Sequence, residues 1–161
     1  MVRSARIAVP AGLGATAAIH AAWALGWRWP GGTDAALAER VVGAGATLPR
    51  APLIWAVAGV LGASETVVAM VGAGRSEPLL RTGTWGIAAV LVARGAVGIP
   101  VDLIGRLDSE FARRDLALYS PLCLALGLGA AVVARGTDPA GTRRVEPHAE
   151  PHEAGRAWAD R

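Results

Sequence analysis

The sequence predicts an all-α fold, a four-helix transmembrane bundle with a disordered C-terminal tail, and three observations predict it. Hydrophobic residues make up 53% of the 161-residue chain and charged residues only 18%. With a mean hydropathy of +0.39, this is more apolar than a water-soluble domain of this size usually is. Four segments are long enough, at about 1.5 Å rise per residue, to cross a hydrocarbon layer of about 30 Å. Each is apolar all round, whereas a helix on the outside of a soluble bundle carries polar residues every third or fourth position.

The first span covers residues 7–27. Arg3 and Arg6 precede it, and Ala22-Trp23-Ala24 has the small-residue look of a signal-peptide cleavage site. The apolar run continues past that point, so the segment is read as a retained span. A turn-rich, charged loop follows over 28–50, with Pro30-Gly31-Gly32 and Pro49. The second span, 52–72, is separated from the third, 83–101, by a short loop containing Gly74 and Pro78. Residues 102–115 are highly charged, with Leu103, Leu107 and Phe111 at helical spacing, a pattern open to an interfacial helix or a solvated loop. The fourth span covers 116–134, where Pro121 either begins the helix or kinks it. Residues 1–135 thus form one membrane domain. The tail, 136–161, is rich in Pro, Gly, Glu and Arg and has too little apolar surface to offset the entropy of ordering.

Tryptophans mark the expected interfaces, because an indole has an apolar body and a polar N–H. Trp27, Trp29 and Trp55 mark one side and Trp85 the other. Four spans place both termini on one side. Arg3, Arg6, Arg75, Arg81, Arg135, Arg143 and Arg144 lie there, against Arg28, Arg40, Arg50, Arg106, Arg113 and Arg114 opposite. That margin leans the termini towards the cytoplasm of a bacterial plasma membrane.

Every one of the 16 basic residues is arginine, and Lys, Asn and Gln are absent. With abundant Ala, Gly and Pro, this bias points to a GC-rich bacterial genome. The pI near 10.4 therefore reflects codon usage and membrane-flanking charge. The arginines are not gathered on one face, so no nucleic-acid partner is expected. The single cysteine, Cys123, excludes an internal disulfide framework and a multi-thiolate metal site.

Three ionisable side chains fall inside the spans: His20, Glu65 and Arg94. Such groups are expensive in hydrocarbon, about 2.5 to 3.5 kcal/mol for an unpaired charge at mid-helix, so they are expected to face inward and find partners. By rise per residue Glu65 and Arg94 come within reach of each other. Ala58, Gly62, Ala69 and Gly72 share the face of Glu65, the small-residue spacing that lets helices approach closely. His20 shares a face with Thr16, Trp23 and Trp27. This candidate polar core has two readings: a proton relay or small-ligand site with His20 as the titrating group, or a pair that fixes helix register with His20 bonded to nearby backbone. The second weighs more.

Other candidates are weaker. His148 and His152 flank Glu150, but Pro151 rules out the helical zinc-site pattern. Gly43-Ala44-Gly45 and Gly72-Ala73-Gly74 lack the residues that complete a phosphate cradle and read as turns or packing sites. Cys123 in an apolar helix behaves as a small hydrophobe. No catalytic residue, metal or cofactor is assigned.

Several stretches resemble one family. Ile19-His20-Ala21-Ala22-Trp23-Ala24-Leu25-Gly26, Thr33-Asp34-Ala35-Ala36-Leu37, Arg94-Gly95-Ala96-Val97-Gly98, Phe111-Ala112-Arg113-Arg114-Asp115 and Leu118-Tyr119-Ser120-Pro121-Leu122-Cys123-Leu124 are similar to the bacterial domain of unknown function 3995. The Tyr-Ser-Pro-Leu-Cys run is its most specific part. The resemblance covers nearly all of the chain except the tail and implies a small four-span membrane protein with no stated activity. It adds Trp23, Asp115, Tyr119, Ser120, Pro121 and Cys123 to His20 and Arg94 as positions of interest. Glu65 matches no family motif, and Ile99-Pro100 stand where an acidic residue is expected shortly after Gly98.

Functionally, the first expectation is a non-enzymatic transporter-like or accessory subunit in contact with the lipid bilayer, forming a homo-oligomer or binding a membrane-protein partner. The alternative is a membrane-embedded enzyme acting on a lipid or quinone-like substrate, with His20, Asp115 and Tyr119 as its polar groups. A third, a soluble carrier of apolar ligands, requires the hydropathy reading to fail.

Overall fold

The structure, a computed structural model, describes residues 2–105 and 109–136, with side chains described outside 101–108. Among these residues it is all-helical. α1 spans Val2–Ala24, α2 Asp34–Val41, α3 Ala51–Gly72, α4 Pro78–Gly105, α5 Glu110–Arg114 and α6 Ser120–Arg135, with one π-helical stretch, Asp115–Tyr119, leading into α6. The tail from residue 137, His148 and His152 included, lies outside the described residues, as do the side chains of Leu103 and Leu107.

α1, α3, α4 and α6 are the helices long and apolar enough to cross a membrane, the last counted from Glu110. α1 packs chiefly on α3 and α4 on α6, while α1–α6 and α3–α4 contacts close the ring. The register is antiparallel: a Cβ on Gly12 would meet Leu126, on Gly129 Val9, and on Gly136 Val2. Both described ends of the chain therefore lie at one end of the bundle. The core joins Val9 and Leu13 of α1, Val68 and Val71 of α3, Ala88 of α4, and Leu126, Ala130 and Val133 of α6. Between apolar helices in lipid there is little hydrophobic drive to associate, so close packing carries the fold. Gly127, whose Cβ would fall 2.9 Å from the backbone nitrogen of Val92, lets α6 and α4 touch at backbone level.

Helix ends follow from local chemistry. α3 closes on Gly74 at φ +99°, where Gly74 N–H donates to Val71 O at 3.0 Å and Arg75 N–H to Met70 O at 3.1 Å. This paired closure needs a left-handed residue, which glycine adopts without a Cβ penalty. Gly26 closes α1 in the same way, with Trp27 N–H on Ala22 O at 2.9 Å.

The loop between the first two spans is more ordered than its composition suggests. Thr33 Oγ1 accepts from Ala36 N–H at 3.2 Å and caps α2. The backbone of Leu37 and Ala36 lies directly over Gly31, where a side chain would collide. Arg28 pairs with Asp34, and Arg40 donates to Pro30 O. α2 then meets α5: Arg40 lies 3.4 Å from Glu110, and Glu110 accepts from Arg114 Nη2 at 2.7 Å. The segment over 102–115 accordingly divides. α4 runs on through Pro100 to Gly105, and α5 is a separate capped turn, its Ser109 Oγ accepting from Ala112 N–H at 3.1 Å. Together α2, α5 and the ring pair Phe111–Tyr119, 6.3 Å between centroids, form a cap over the end of the bundle opposite the chain ends.

Candidate functional site

The polar centre of the bundle is built beneath this cap by the π-helical stretch. Pro121 has no N–H, and in a regular α-helix its ring would press on the carbonyl four residues back. Widening the preceding turn relieves that clash, and Ser120 N–H bonds Asp115 O in an i to i−5 link. In an α-helix, residues five apart diverge by about 140° round the axis. The wider π turn brings Asp115 and Ser120 onto one side, and both side chains are buried, Asp115 to 1% exposure.

Ser120 Oγ donates to Asp115 Oδ2 at 2.6 Å. From α4, Arg94 Nη2 donates to Asp115 Oδ1 at 2.5 Å, and Nη1 lies 3.4 Å from both Oδ2 and Ser120 Oγ. Each carboxylate oxygen is thus engaged, and the forked guanidinium spans both. Gly98, one turn beyond Arg94, makes the space. A Cβ there would sit 2.6 Å from Asp115 Oδ2 and collide with Ser120 Oγ and the guanidinium. Gly95 likewise lets α4 approach α6, its Cβ falling 2.7 Å from Ser120 O. Burying the carboxylate is tolerable because a cation and a hydroxyl replace water around it. The Arg94 side chain stays 44% exposed, its stem running along α4 so that the charge is displaced towards the capped end.

The other intramembrane groups engage different neighbours. Arg94 meets Asp115, not Glu65. Glu65 lies on the α1-facing side of α3, its carboxyl carbon 2.8 Å from where a Gly14 Cβ would be. Glu65 and Arg94 stand at compatible depths by rise per residue, yet they face different helices. His20 Nδ1 lies 2.8 Å from Thr16 O. A carbonyl only accepts, so in this hydrogen bond Nδ1 is the donor. The ring packs on Trp23 at 5.0 Å, and Trp23 Nε1 donates to Trp29 O at 2.8 Å, tying α1 to the cap. Tyr119 points its hydroxyl to Arg40 O at 3.4 Å. Pro121 stands in the first turn of α6, and Cys123 is a half-buried free thiol one turn along. Among the described residues no cluster of three or more His, Cys, Asp or Glu forms a metal site.

The profile of a family described as "Protein of unknown function (DUF3995)" matches residues 13–130. The chain belongs to that family. The match reaches into all four spans, covering α3 and α4, through to Gly105, in full, and includes Arg94, Asp115 and Ser120 of this DUF3995 protein. No curated protein and no solved structure matches the chain.

The resemblance singled out Arg94, Asp115 and Ser120 without showing that they meet. The signal for that meeting is the run from Asp115 to Pro121: an acidic residue six before a proline, with a serine between, at the entry to an apolar helix. The cap pair Arg40–Glu110 leaves no comparable trace, because its members are 70 residues apart on two separate short helices, α2 and α5.

Proposed function

We propose that this DUF3995 protein is a non-enzymatic subunit of a bacterial plasma membrane, transporter-like or accessory to other membrane proteins, with its termini on the cytoplasmic side. The observation that carries the reading is the closed state of the polar network. Asp115 is buried with both oxygens engaged, while His20 and Glu65 lie against separate elements. A saturated carboxylate is a poor general base, and charges engaged in place serve registry between helices. The enzymatic alternative draws less support, since His20 and Asp115 are bonded to different partners.

What the bundle offers outward is room for other helices. Beside Gly59 and Gly62 of α3 and Gly86 of α4, an added Cβ would meet nothing within 4 Å. A groove of about 310 Å³ lies between α3 and α4, lined by Val60, Leu61, Ser64, Ile87 and Val90 among others. Small residues on a lipid-facing surface allow close helix approach. The test is the protein mass of the full chain purified in mild detergent, by size exclusion with light scattering. A complex heavier than one 16.4 kDa chain, reduced by Gly62→Leu, supports the reading. A strict monomer with no copurifying protein overturns it.

A further inference from the structure

Of the ionisable groups His20, Glu65 and Arg94 inside the spans, Glu65 is the one the chain does not answer. Arg94 meets Asp115, and His20 meets Thr16 O. Glu65 has no hydrogen bond or ion pair with any described residue, and its half-buried carboxyl is not shut off from the surface. Gly14 of α1 makes room for it: a Cβ there would sit 2.8 Å from both carboxyl oxygens. By rise per residue the group lies about 10 Å inside the Gly72 end of α3, within the hydrocarbon.

Around Glu65 the outer seam between α1 and α3 is built of small residues. On α3, Gly62 stands three residues before Glu65 and Ala69 four after it; on α1, Ala11 and Ala18 hold the same positions about Gly14. Ala11, Ala18 and Ala69 are exposed, and a Cβ on Gly62 would meet nothing within 4 Å. Such a strip lets a further helix come close. An ionised carboxylate in hydrocarbon is costly unless a cation meets it, and charges within spans are met by groups on neighbouring spans. The complement of an acid in a small-residue seam is therefore a helix with a guanidinium or ammonium at the same depth.

We propose that Glu65 receives an arginine or lysine from a spanning helix of another membrane protein, docked along the seam of α1 and α3. A second copy of this chain is a poor match: it brings another Glu65, and its Arg94 is held by its own Asp115. The inference rests on the accessory role proposed above and names the chemistry of the partner.

Energy transfer from the tryptophans of the full chain to a dansyl-labelled spanning peptide, in phosphatidylcholine vesicles, tests it. The peptide is a Leu-Ala helix bearing one Arg about seven residues from one end, compared with the same helix bearing Gln or Leu there. The Arg peptide is expected to associate more tightly than either, by about tenfold. That preference is lost in Glu65→Gln and unchanged in Glu110→Gln, whose carboxylate belongs to the cap. Glu65→Gln breaks no bond within the chain, so its melting in detergent is expected to match wild type. Equal association of the three peptides overturns the proposal, as does an Arg preference that survives Glu65→Gln. A Glu65→Gln melting temperature well below wild type assigns the carboxylate to the chain's own packing and also overturns it. Because the peptide is supplied, indifference to Arg in a chain that still purifies as a heavier complex overturns this inference alone and leaves the accessory role standing.

Discussion

Ser120 Oγ donates to Asp115 Oδ2 at 2.6 Å across a five-residue spacing that a regular α-helix holds apart. The π-helical turn before Pro121 closes that gap and presents the carboxylate to Arg94.

Asp115→Asn removes the buried carboxylate charge that faces the Arg94 guanidinium. Removing one partner of a fully buried pair costs about 3 to 5 kcal/mol. With Arg94 partly open, a loss of about 1 to 3 kcal/mol is expected after discounting for screening. Melting in detergent measures it. In the double variant with Arg94→Leu the penalties are not additive, because the two residues share one hydrogen-bonded pair.

Ser120→Ala removes one hydrogen bond to the same carboxylate and is expected to cost about 1.5 to 3 kcal/mol, the range for bonds to charged groups. Ser120→Thr keeps the hydroxyl and loses less. Equal melting temperatures for wild type and Ser120→Ala contradict the network.

Gly98→Ala and Gly59→Ala make the same chemical change with opposite expected outcomes. At Gly98 the methyl collides with Asp115, Ser120 and Arg94, forcing α4 and α6 apart. At Gly59 it enters open space, where alanine is preferred over glycine in a helix by about 0.5 to 1 kcal/mol. Gly98→Ala should melt lower than wild type and Gly59→Ala at or above it.

The spans were legible in the sequence because all-round apolarity over about 20 residues has few other causes. α2 was not, since residues 28–50 are charged and broken by Pro30 and Pro49, and its one local cue, Thr33 before Asp34, is short. The membership of Arg94, Asp115 and Ser120 in one site was only half visible. Resemblance marked the positions, but their meeting depends on a widened helical turn and on two glycines of α4 that no periodicity reveals. Pairing Arg94 with Glu65 failed for a related reason: depth along a helix is readable from residue number, but the neighbour it faces is set by how the helices are arranged round the bundle.

The cap pairs respond differently to salt from the buried network. Glu110 lies at the surface between Arg40 and Arg114, and such exposed pairs contribute little to stability and are screened by ions. Glu110→Gln should therefore cost little, and that cost should vanish at high ionic strength. The cost of Asp115→Asn should persist there. Parallel melts at low and high salt distinguish the two.

Four crossings of the bilayer, with both described chain ends on one face and the α2 cap on the other, are the foundation of this account. Single cysteines at Ser4, Ala44 and Ser76, placed in a Cys123→Ser background and challenged with a membrane-impermeant maleimide in sealed vesicles, test it most directly. Positions 4 and 76 should label together from one side and position 44 only from the other. Labelling of positions 4 and 44 from the same side contradicts the account.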